Sequence, residues 1–111
     1  MNNRDELYIV HIAEAIERIR RYTVTGRAAF IADDMIQSAV VRQIEIIGEA
    51  ARNLSGELRS DERAVPWKKI IGTRDRLIHG YSEVNLDAVW AIVEHDLAEL
   101  DREVKRIVGQ S

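Results

Sequence analysis

The sequence predicts an all-α protein, an antiparallel bundle of four principal helices with a short extra helical turn. Three observations support this prediction. Apolar residues recur at spacings of three and four along several stretches, which places them on one face of a helix. Glycine (6) and proline (1) are sparse among the 111 residues, so long loops are not expected. A chain of this length has room for one hydrophobic core, so residues 1–111 are predicted to form a single helical domain.

The first two predicted helices cover 4–23 and a longer stretch that starts at about Arg27 or Asp33 and runs to Leu54. Asp33 provides negative charge where a helix start favours it. Gly48 lies inside the second helix, where glycine costs about 1 kcal/mol relative to alanine. We therefore expect another helix to approach the chain closely at Gly48.

The other two predicted helices follow a polar connector, residues 55–65, which has room for one helical turn at 57–60. Pro66 falls where the first turn of a helix tolerates proline, and the helical pattern then continues from 67 to 79. Asn85 is predicted to cap a last helix that ends at about 108. Its apolar stripe is the most regular in the chain: Leu86, Val89, Val93, Leu97, Leu100, Val104 and Ile107.

Composition excludes several classes of protein. The chain is 46% hydrophobic and 32% charged, which is ordinary for a globular domain and unlike a disordered one. No apolar run approaches the roughly 20 residues that span a bilayer. The chain has no cysteine, so it has neither a disulfide framework nor a thiolate metal site. The first residues lack the layout of a secretory signal, and a cytoplasmic location is the expectation.

Positive charge is concentrated in one stretch of an otherwise acidic chain. The formal net charge is −3, which argues against a protein coated for non-specific nucleic-acid binding. Residues 68–76 nevertheless contain four cations: Lys68, Lys69, Arg74 and Arg76. A local basic site on an acidic body suits a small RNA contact rather than a long electrostatic track.

The same stretch contains the residues that could cleave RNA without a metal. Arg74 is permanently charged and can donate two parallel hydrogen bonds to a phosphate. His79 can accept and release protons near neutral pH. Together they supply a base for the ribose 2′-OH and a cation for the charge that builds on phosphorus. The spacing Arg-x-x-x-x-His is by itself a weakly specific signal.

The surrounding sequence makes the signal more specific. Pro66-Trp67, Gly72 and Asp75, followed by His79-Gly80-Tyr81, resemble the HEPN superfamily of small helical ribonucleases. Within it, the pattern Arg-x-x-x-x-His-x-Tyr resembles the HepT-like toxins. The segments 47–50 and 85–90 are similar to that family as well. Thr73 departs from the bulkier apolar residue that is more usual there, which concerns packing rather than chemistry.

This resemblance implies a metal-independent endoribonuclease that uses no cofactor and acts as the toxin of a HepT/MntA-type toxin–antitoxin pair. It also implies a two-fold homodimer. In that family, the tyrosine that matches Tyr81 is where the partner nucleotidyltransferase, MntA, attaches AMP. Added bulk and negative charge beside Arg74 would repel RNA phosphate. Alternatively, the Tyr81 phenol donates to a phosphate, or its ring is simply buried.

Other residues are candidates for supporting roles. Lys68, Lys69 and Arg76 are predicted to contact RNA. Asp75 could hold Arg74 or Arg76 in place, or it could belong to a solvated charge cluster. Glu49 could orient Arg74, or it could form a plain surface salt bridge of small energetic weight.

The spacing of the pair imposes a geometric condition. Arg74 and His79 are five residues apart, roughly 140° around a helix of about 3.6 residues per turn, so a straight helix would not aim both at one phosphate. Either the helix ends or distorts by Gly80, or two protomers form a composite site across a two-fold axis. The apolar stripe and the two tryptophans, which exceed what four short helices need internally, also favour a dimer.

Two other functions are compatible with the sequence. One is a non-catalytic helical module that partners a nucleotidyltransferase. The other is a structural bundle in which His79 is a core residue. The presence of both Arg74 and His79 favours the enzyme, because a scaffold does not need that pair.

Overall fold

The computed structural model describes residues 1–79 and 83–109, apart from the side chains at positions 74, 78, 79 and 83. The regular secondary structure of these residues is helical apart from one short β-ladder. The elements are α1 (Asn3–Tyr22), α2 (Arg27–Ala32), α3 (Asp34–Asn53), α4 (Gly56–Asp61), α5 (Trp67–Ile71), α6 (Thr73–Leu77), β1 (Ile78–His79), β2 (Glu83–Val84), α7 (Leu86–Ala91), a π-helical segment (Ile92–Asp96) and α8 (Leu97–Gly109). The predicted all-α bundle is confirmed in this helical architecture.

The two longest helices, α1 and α3, form the centre of the bundle, and α8 packs on α1. Their inward faces carry the apolar residues that recur at spacings of three and four. The core includes Ile9, Ile12, Ile16, Ile19, Val40, Ile44, Ile47, Val104 and Ile107. The short helices α5 and α6 pack against α3, so the central pair supports the candidate site. Within 1–79 and 83–109, no helix is long and apolar enough to cross a membrane.

Side-chain caps explain where several helices begin. The Asp33 carboxylate accepts hydrogen bonds from the Met35 and Ile36 amides, so α3 starts at Asp34, close to the later of the two predicted starts. The preceding residues form the separate short helix α2, which buries Phe30 completely against Trp90, with ring centroids 5.4 Å apart. The predicted Asn85 cap is confirmed, since its side chain accepts a hydrogen bond from Ala88 N at 3.0 Å.

The helix predicted over 67–79 is wrong in its last part. It divides at Gly72 into α5 and α6 and ends at Leu77. Ile78 and His79 are extended and pair antiparallel with Val84 and Glu83, a ladder that was not predicted. The Asn85 amide also donates to the Leu77 carbonyl at 3.1 Å, so the chain returns directly to the end of α6. Gly80, the predicted terminator, lies outside the described residues.

The other predicted helical elements are present with adjusted bounds. The single turn expected at 57–60 is α4, capped by the Ser55 hydroxyl. The last helix contains a π-helical segment, in which the Leu97 amide donates to the Ile92 carbonyl five residues earlier. This extra residue per turn shifts the apolar stripe between α7 and α8.

The close approach predicted at Gly48 is confirmed. A Cβ atom at this position would lie 3.4 Å from the Ile70 carbonyl oxygen and 3.6 Å from that of Ile71. The backbone of α5 therefore rests on the backbone of α3, with little room for a larger side chain between them.

A buried carboxylate joins α1 to α8. Asp101 is only 7% exposed, and it accepts hydrogen bonds from Arg20 Nη1 at 2.9 Å and from Lys105 Nζ at 3.0 Å. Burial alone would raise the pKa of Asp101, but the hydrogen bonds and charges of Lys105 and Arg20 outweigh burial and lower the pKa below its usual 3.8.

We expect Asp101→Asn to reduce the free energy of unfolding at pH 7 by about 1–3 kcal/mol, the usual scale for losing a buried charge-assisted hydrogen bond. A carboxyl whose pKa is lowered by folding stabilises the protein above its unfolded pKa, and this contribution disappears as the pH falls through the folded pKa. Urea denaturation of the wild type and the variant should show a gap at pH 7 that narrows at about pH 3. An equal gap at both pH values would contradict this assignment.

Candidate functional site

The backbone of the candidate catalytic pair is divided between two elements. Arg74 is the second residue of α6, whereas His79 lies on β1, beyond the end of the helix at Leu77. The helix therefore ends between the two residues, which is one of the two ways in which the pair could be aimed at one phosphate. The side chains of Arg74 and His79 lie outside the described part, so their catalytic roles and the composite site across a dimer remain predictions. Tyr81 also lies outside the described residues, and its roles stay predictions.

The position of the motif segment is fixed at its start by Trp67. Its side chain is 6% exposed, and its indole N–H donates to the Glu62 carbonyl at 3.1 Å. Pro66 ends the turn before α5, and α5 then packs against α3 at Gly48. Because Trp67 is packed into the core, the backbone that carries the exposed cations of α5 and α6 is held in a fixed position.

Thr73 links the end of α5 to Arg76. Its hydroxyl donates to the Lys69 carbonyl at 2.8 Å and accepts a hydrogen bond from Arg76 Nη2 at 2.9 Å. The same Arg76 nitrogen donates to the Lys69 carbonyl at 3.2 Å. The buried Thr73 hydroxyl thus forms a polar contact that restrains the Arg76 guanidinium.

The two predicted supporting acids are both exposed. The Glu49 carboxylate lies 3.5 Å from Arg52 and accepts a 3.4 Å hydrogen bond from Asn53, contacts typical of a surface salt bridge along one helix. Asp75 lies on the solvent-facing side of α6. The proposal that either acid orients Arg74 remains a prediction, because the Arg74 side chain is not among the described ones.

The three cations predicted to contact RNA line one open cleft of about 760 Å³. Lys68 and Lys69 come from α5 and Arg76 from α6. Two further cations, Arg59 and Arg63, line the same cleft and were missed, because the connector that carries them was predicted only as polar. Arg59 and Arg63 are four residues apart, a spacing typical of one helix face, and this was the signal that could have identified them. The helix α4 ends at Asp61, so Arg63 lies in the turn after it.

The basic cleft has an apolar floor and is lined by cations. Val65, Pro66 and Trp67 form the floor. Among the side chains that the structure describes, no carboxylate forms a salt bridge with the cleft cations from α4, α5 and the turn between them. Cations that none of the described carboxylates neutralises are available to an anionic ligand.

The helical fold and the segment that carries Arg74 and His79 define a small α-helical domain with a basic motif surface. The family model described as "Ribonuclease HepT-like" matches residues 12–107. The chain belongs to this HepT-like family.

Similar proteins extend over nearly the whole chain. A protein of Caldanaerobacter subterraneus subsp. tengcongensis named "Putative RNase" is 40% identical over 102 residues, which cover 91% of each chain. A protein of Thermococcus cleftensis named "Probable ribonuclease HepT" is 35% identical over 101 residues, covering 90% of this chain and 92% of its own. One from Methanocaldococcus jannaschii, also named "Putative RNase", is 35% identical over 107 residues, covering 95% of this chain and 98% of its own. No solved structure gives a significant match.

Proposed function

We propose that the protein is a metal-independent endoribonuclease. The observation that carries this proposal is the Arg74-x-x-x-x-His79-x-Tyr81 motif in a chain of the HepT-like family, whose relatives carry ribonuclease names. His79 removes the proton from the ribose 2′-OH, and the 2′-oxygen attacks phosphorus. Arg74 stabilises the charge that builds on the phosphate oxygens. The 5′-oxygen leaves and takes a proton from water, so one product ends in a 2′,3′-cyclic phosphate.

Several features of the described backbone and charges support this proposal. The end of α6 at Leu77 releases His79 from the helical path of Arg74. Lys68, Lys69 and Arg76 lie on the same segment as the motif and face a common cleft, where they can bind phosphates that flank the cleaved one. The site is thus a local concentration of positive charge on a chain whose net charge is −3.

The proposal includes a two-fold homodimer in which Arg74 of one protomer and His79 of its partner can share a cleft. The spacing of the motif and the family likeness support the dimer. The two tryptophans, which were expected to favour a dimer, do not support it. Trp67 is buried within its own chain, and Trp90 packs on Phe30. Light scattering at micromolar concentration should give twice the mass of 12.7 kDa.

The proposal also includes the role of a toxin that is silenced in trans. A partner nucleotidyltransferase of the MntA type attaches AMP to Tyr81, two residues beyond His79. The phosphodiester that links AMP to the tyrosine adds one negative charge beside the catalytic cation. The modified site would repel the RNA phosphate and occupy the space that it needs.

RNA cleavage is expected to continue at its full rate in EDTA. The proposed mechanism uses an imidazole base and a guanidinium cation, and neither group needs a metal ion for its role. The measurement is the cleavage rate of a labelled single-stranded RNA with EDTA and with added Mg²⁺. Activity that disappears with chelation and returns with a single metal would contradict the proposed mechanism. A folded dimer that cuts no RNA under either condition would favour the non-catalytic module.

Tyr81→Phe is expected to retain RNA cleavage within a few-fold of the wild type but to escape silencing by the partner transferase. Phenylalanine keeps the ring and removes the hydroxyl that accepts AMP. Cleavage is measured before and after incubation with the transferase and ATP, and the mass of the protein reports the added AMP. If Tyr81→Phe loses cleavage while the His79 and Arg74 variants keep it, the roles assigned to the motif are wrong.

A further inference from the structure

The short helix α4 separates charges of opposite sign. At about 100° per residue, Arg59 lies on the side of the helix opposite Glu57 and Asp61. Arg63 follows in the turn beyond the end of α4. Arg59 and Arg63 line the basic cleft beside α5. Glu57 and Asp61 line a different cleft of about 440 Å³ beside the start of α1. The connector thus presents a basic edge, Arg59 and Arg63, to the motif segment. Its acids Glu57 and Asp61 face a different cleft.

The acid that precedes Arg63 in the chain is engaged elsewhere. Glu62 precedes Arg63 directly, but its carboxylate lies 2.7 Å from Arg106 Nη2 on α8. Its main-chain carbonyl, on the other hand, accepts the Trp67 indole hydrogen bond. Glu62 therefore fixes the turn without neutralising the cations beside it.

The charges on the two sides of the motif segment differ in sign. Lys69 and Arg76 border two clefts, and the one toward α8 is also lined by Asp96, Glu99 and Glu103. The cleft on the other side of Lys69 and Arg76 adds Arg59, Arg63 and Lys68. A polyanion is repelled by the acidic rim of the first cleft and attracted by the second, so its path from the motif leads toward α4.

We propose that the basic cleft binds the phosphate backbone of a single-stranded RNA segment adjacent to the cleavage site, with Arg59 and Arg63 as its distal contacts. The proposal rests on the ribonuclease function proposed above. It extends the RNA segment that the protein binds from the cleaved phosphate to several neighbouring nucleotides. The cleft is open to solvent, so an extended strand can lie along it. Trp67 is buried and offers no face for a base, so the contacts are with phosphates and carry no sequence preference.

RNA binding by an Arg59→Gln/Arg63→Gln double variant tests this proposal. Both the variant and its parent carry His79→Ala to prevent cleavage, and the ligand is a fluorescein-labelled single-stranded RNA of about 12 nucleotides. The matched control is Arg18→Gln/Arg21→Gln, which removes two arginines from a separate cleft on α1 that also contains Glu14 and Glu17. Fluorescence anisotropy is recorded over a range of salt concentrations, and circular dichroism verifies that every variant is folded.

The double variant should bind this RNA about tenfold more weakly than its parent at about 100 mM salt. The plot of log K against log salt concentration has a negative slope, and each phosphate contact to a single strand contributes about 0.7 to its magnitude. Because the double variant loses two contacts, the magnitude of the slope should decrease by about 1.4. The control variant should change the affinity less than twofold and leave the slope unaltered.

Cleavage by the otherwise wild-type chain gives a second readout. On the 12-nucleotide RNA, Arg59→Gln/Arg63→Gln should raise KM about tenfold with kcat nearly unchanged, because it removes binding remote from the reacting phosphate. A dinucleoside monophosphate does not reach the distal arginines, and its cleavage should be unaffected.

The proposal and the function on which it rests fail in different ways. If RNA still binds and the double variant matches the Arg18→Gln/Arg21→Gln control in affinity and slope, the RNA path is wrong while the ribonuclease function stands. That result would favour an acidic protein partner for the cleft. If the parent binds no RNA at low salt and the wild type cuts none, both proposals are wrong.

Discussion

Replacing His79 with alanine is expected to lower the rate of RNA cleavage by about 100-fold or more, and Arg74→Ala should cost about as much. The first change removes the base that accepts the 2′-OH proton, and the second removes the cation that stabilises charge in the transition state. The measurement is kcat on a defined single-stranded RNA, together with the growth inhibition caused by expression of each variant.

The two variants should keep their fold, which separates chemistry from stability. We predict that both side chains are partly exposed, so helicity and molecular mass should match the wild type. Leu97→Ala is the contrasting control: Leu97 is 3% exposed, and its truncation should cost about 2–5 kcal/mol of stability. If both the His79 and Arg74 variants cut RNA at the wild-type rate, the proposed mechanism is wrong.

Phe30→Ala is expected to reduce the free energy of unfolding by about 3–5 kcal/mol, the largest loss of stability that we expect from a single truncation. Phe30 is completely buried and contacts the Trp90 ring, so its side chain joins α2 to α7 alongside the exposed Arg27–Asp87 salt bridge. The loss is a large fraction of the roughly 5–15 kcal/mol that stabilises a domain. Urea denaturation with tryptophan fluorescence measures it directly, because Trp90 reports on the same contact.

Val24→Ala is the matched control for Phe30→Ala. Val24 is 82% exposed in the turn before α2, and its truncation should change the free energy of unfolding by less than about 0.5 kcal/mol. Equal losses for the two variants would show that α2 is not anchored by Phe30.

The parts of the fold that depend on local chemistry could be predicted from the sequence. Asn85 caps a helix by accepting from an amide three residues later. Gly48 lacks a side chain in mid-helix, which predicts that another segment approaches there but not that this segment is α5. The break at Leu77 could not be predicted in this way. The ladder that replaces the helix pairs 78–79 with 83–84, and two residues per strand are too few to show an alternating pattern.

The candidate site shows the same division. The motif identified Arg74, His79 and Tyr81 because it is linear in sequence. Arg59 and Arg63 were missed because they join Lys68 and Lys69 only after the chain turns between α4 and α5. That turn depends on the buried Trp67 and its hydrogen bond to Glu62, and neither contact is visible in the composition of the connector.

The most direct test of the proposed chemistry is the identity of the ends that cleavage leaves. A defined RNA is cut by the wild-type chain in EDTA, and the products are analysed by mass spectrometry. The account predicts a 2′,3′-cyclic phosphate on one product and a 5′-hydroxyl on the other, and no cleavage where the 2′-OH at the cut position is replaced by hydrogen. Products with a 3′-hydroxyl and a 5′-phosphate would contradict it, because they show that the ribose 2′-oxygen was not the nucleophile.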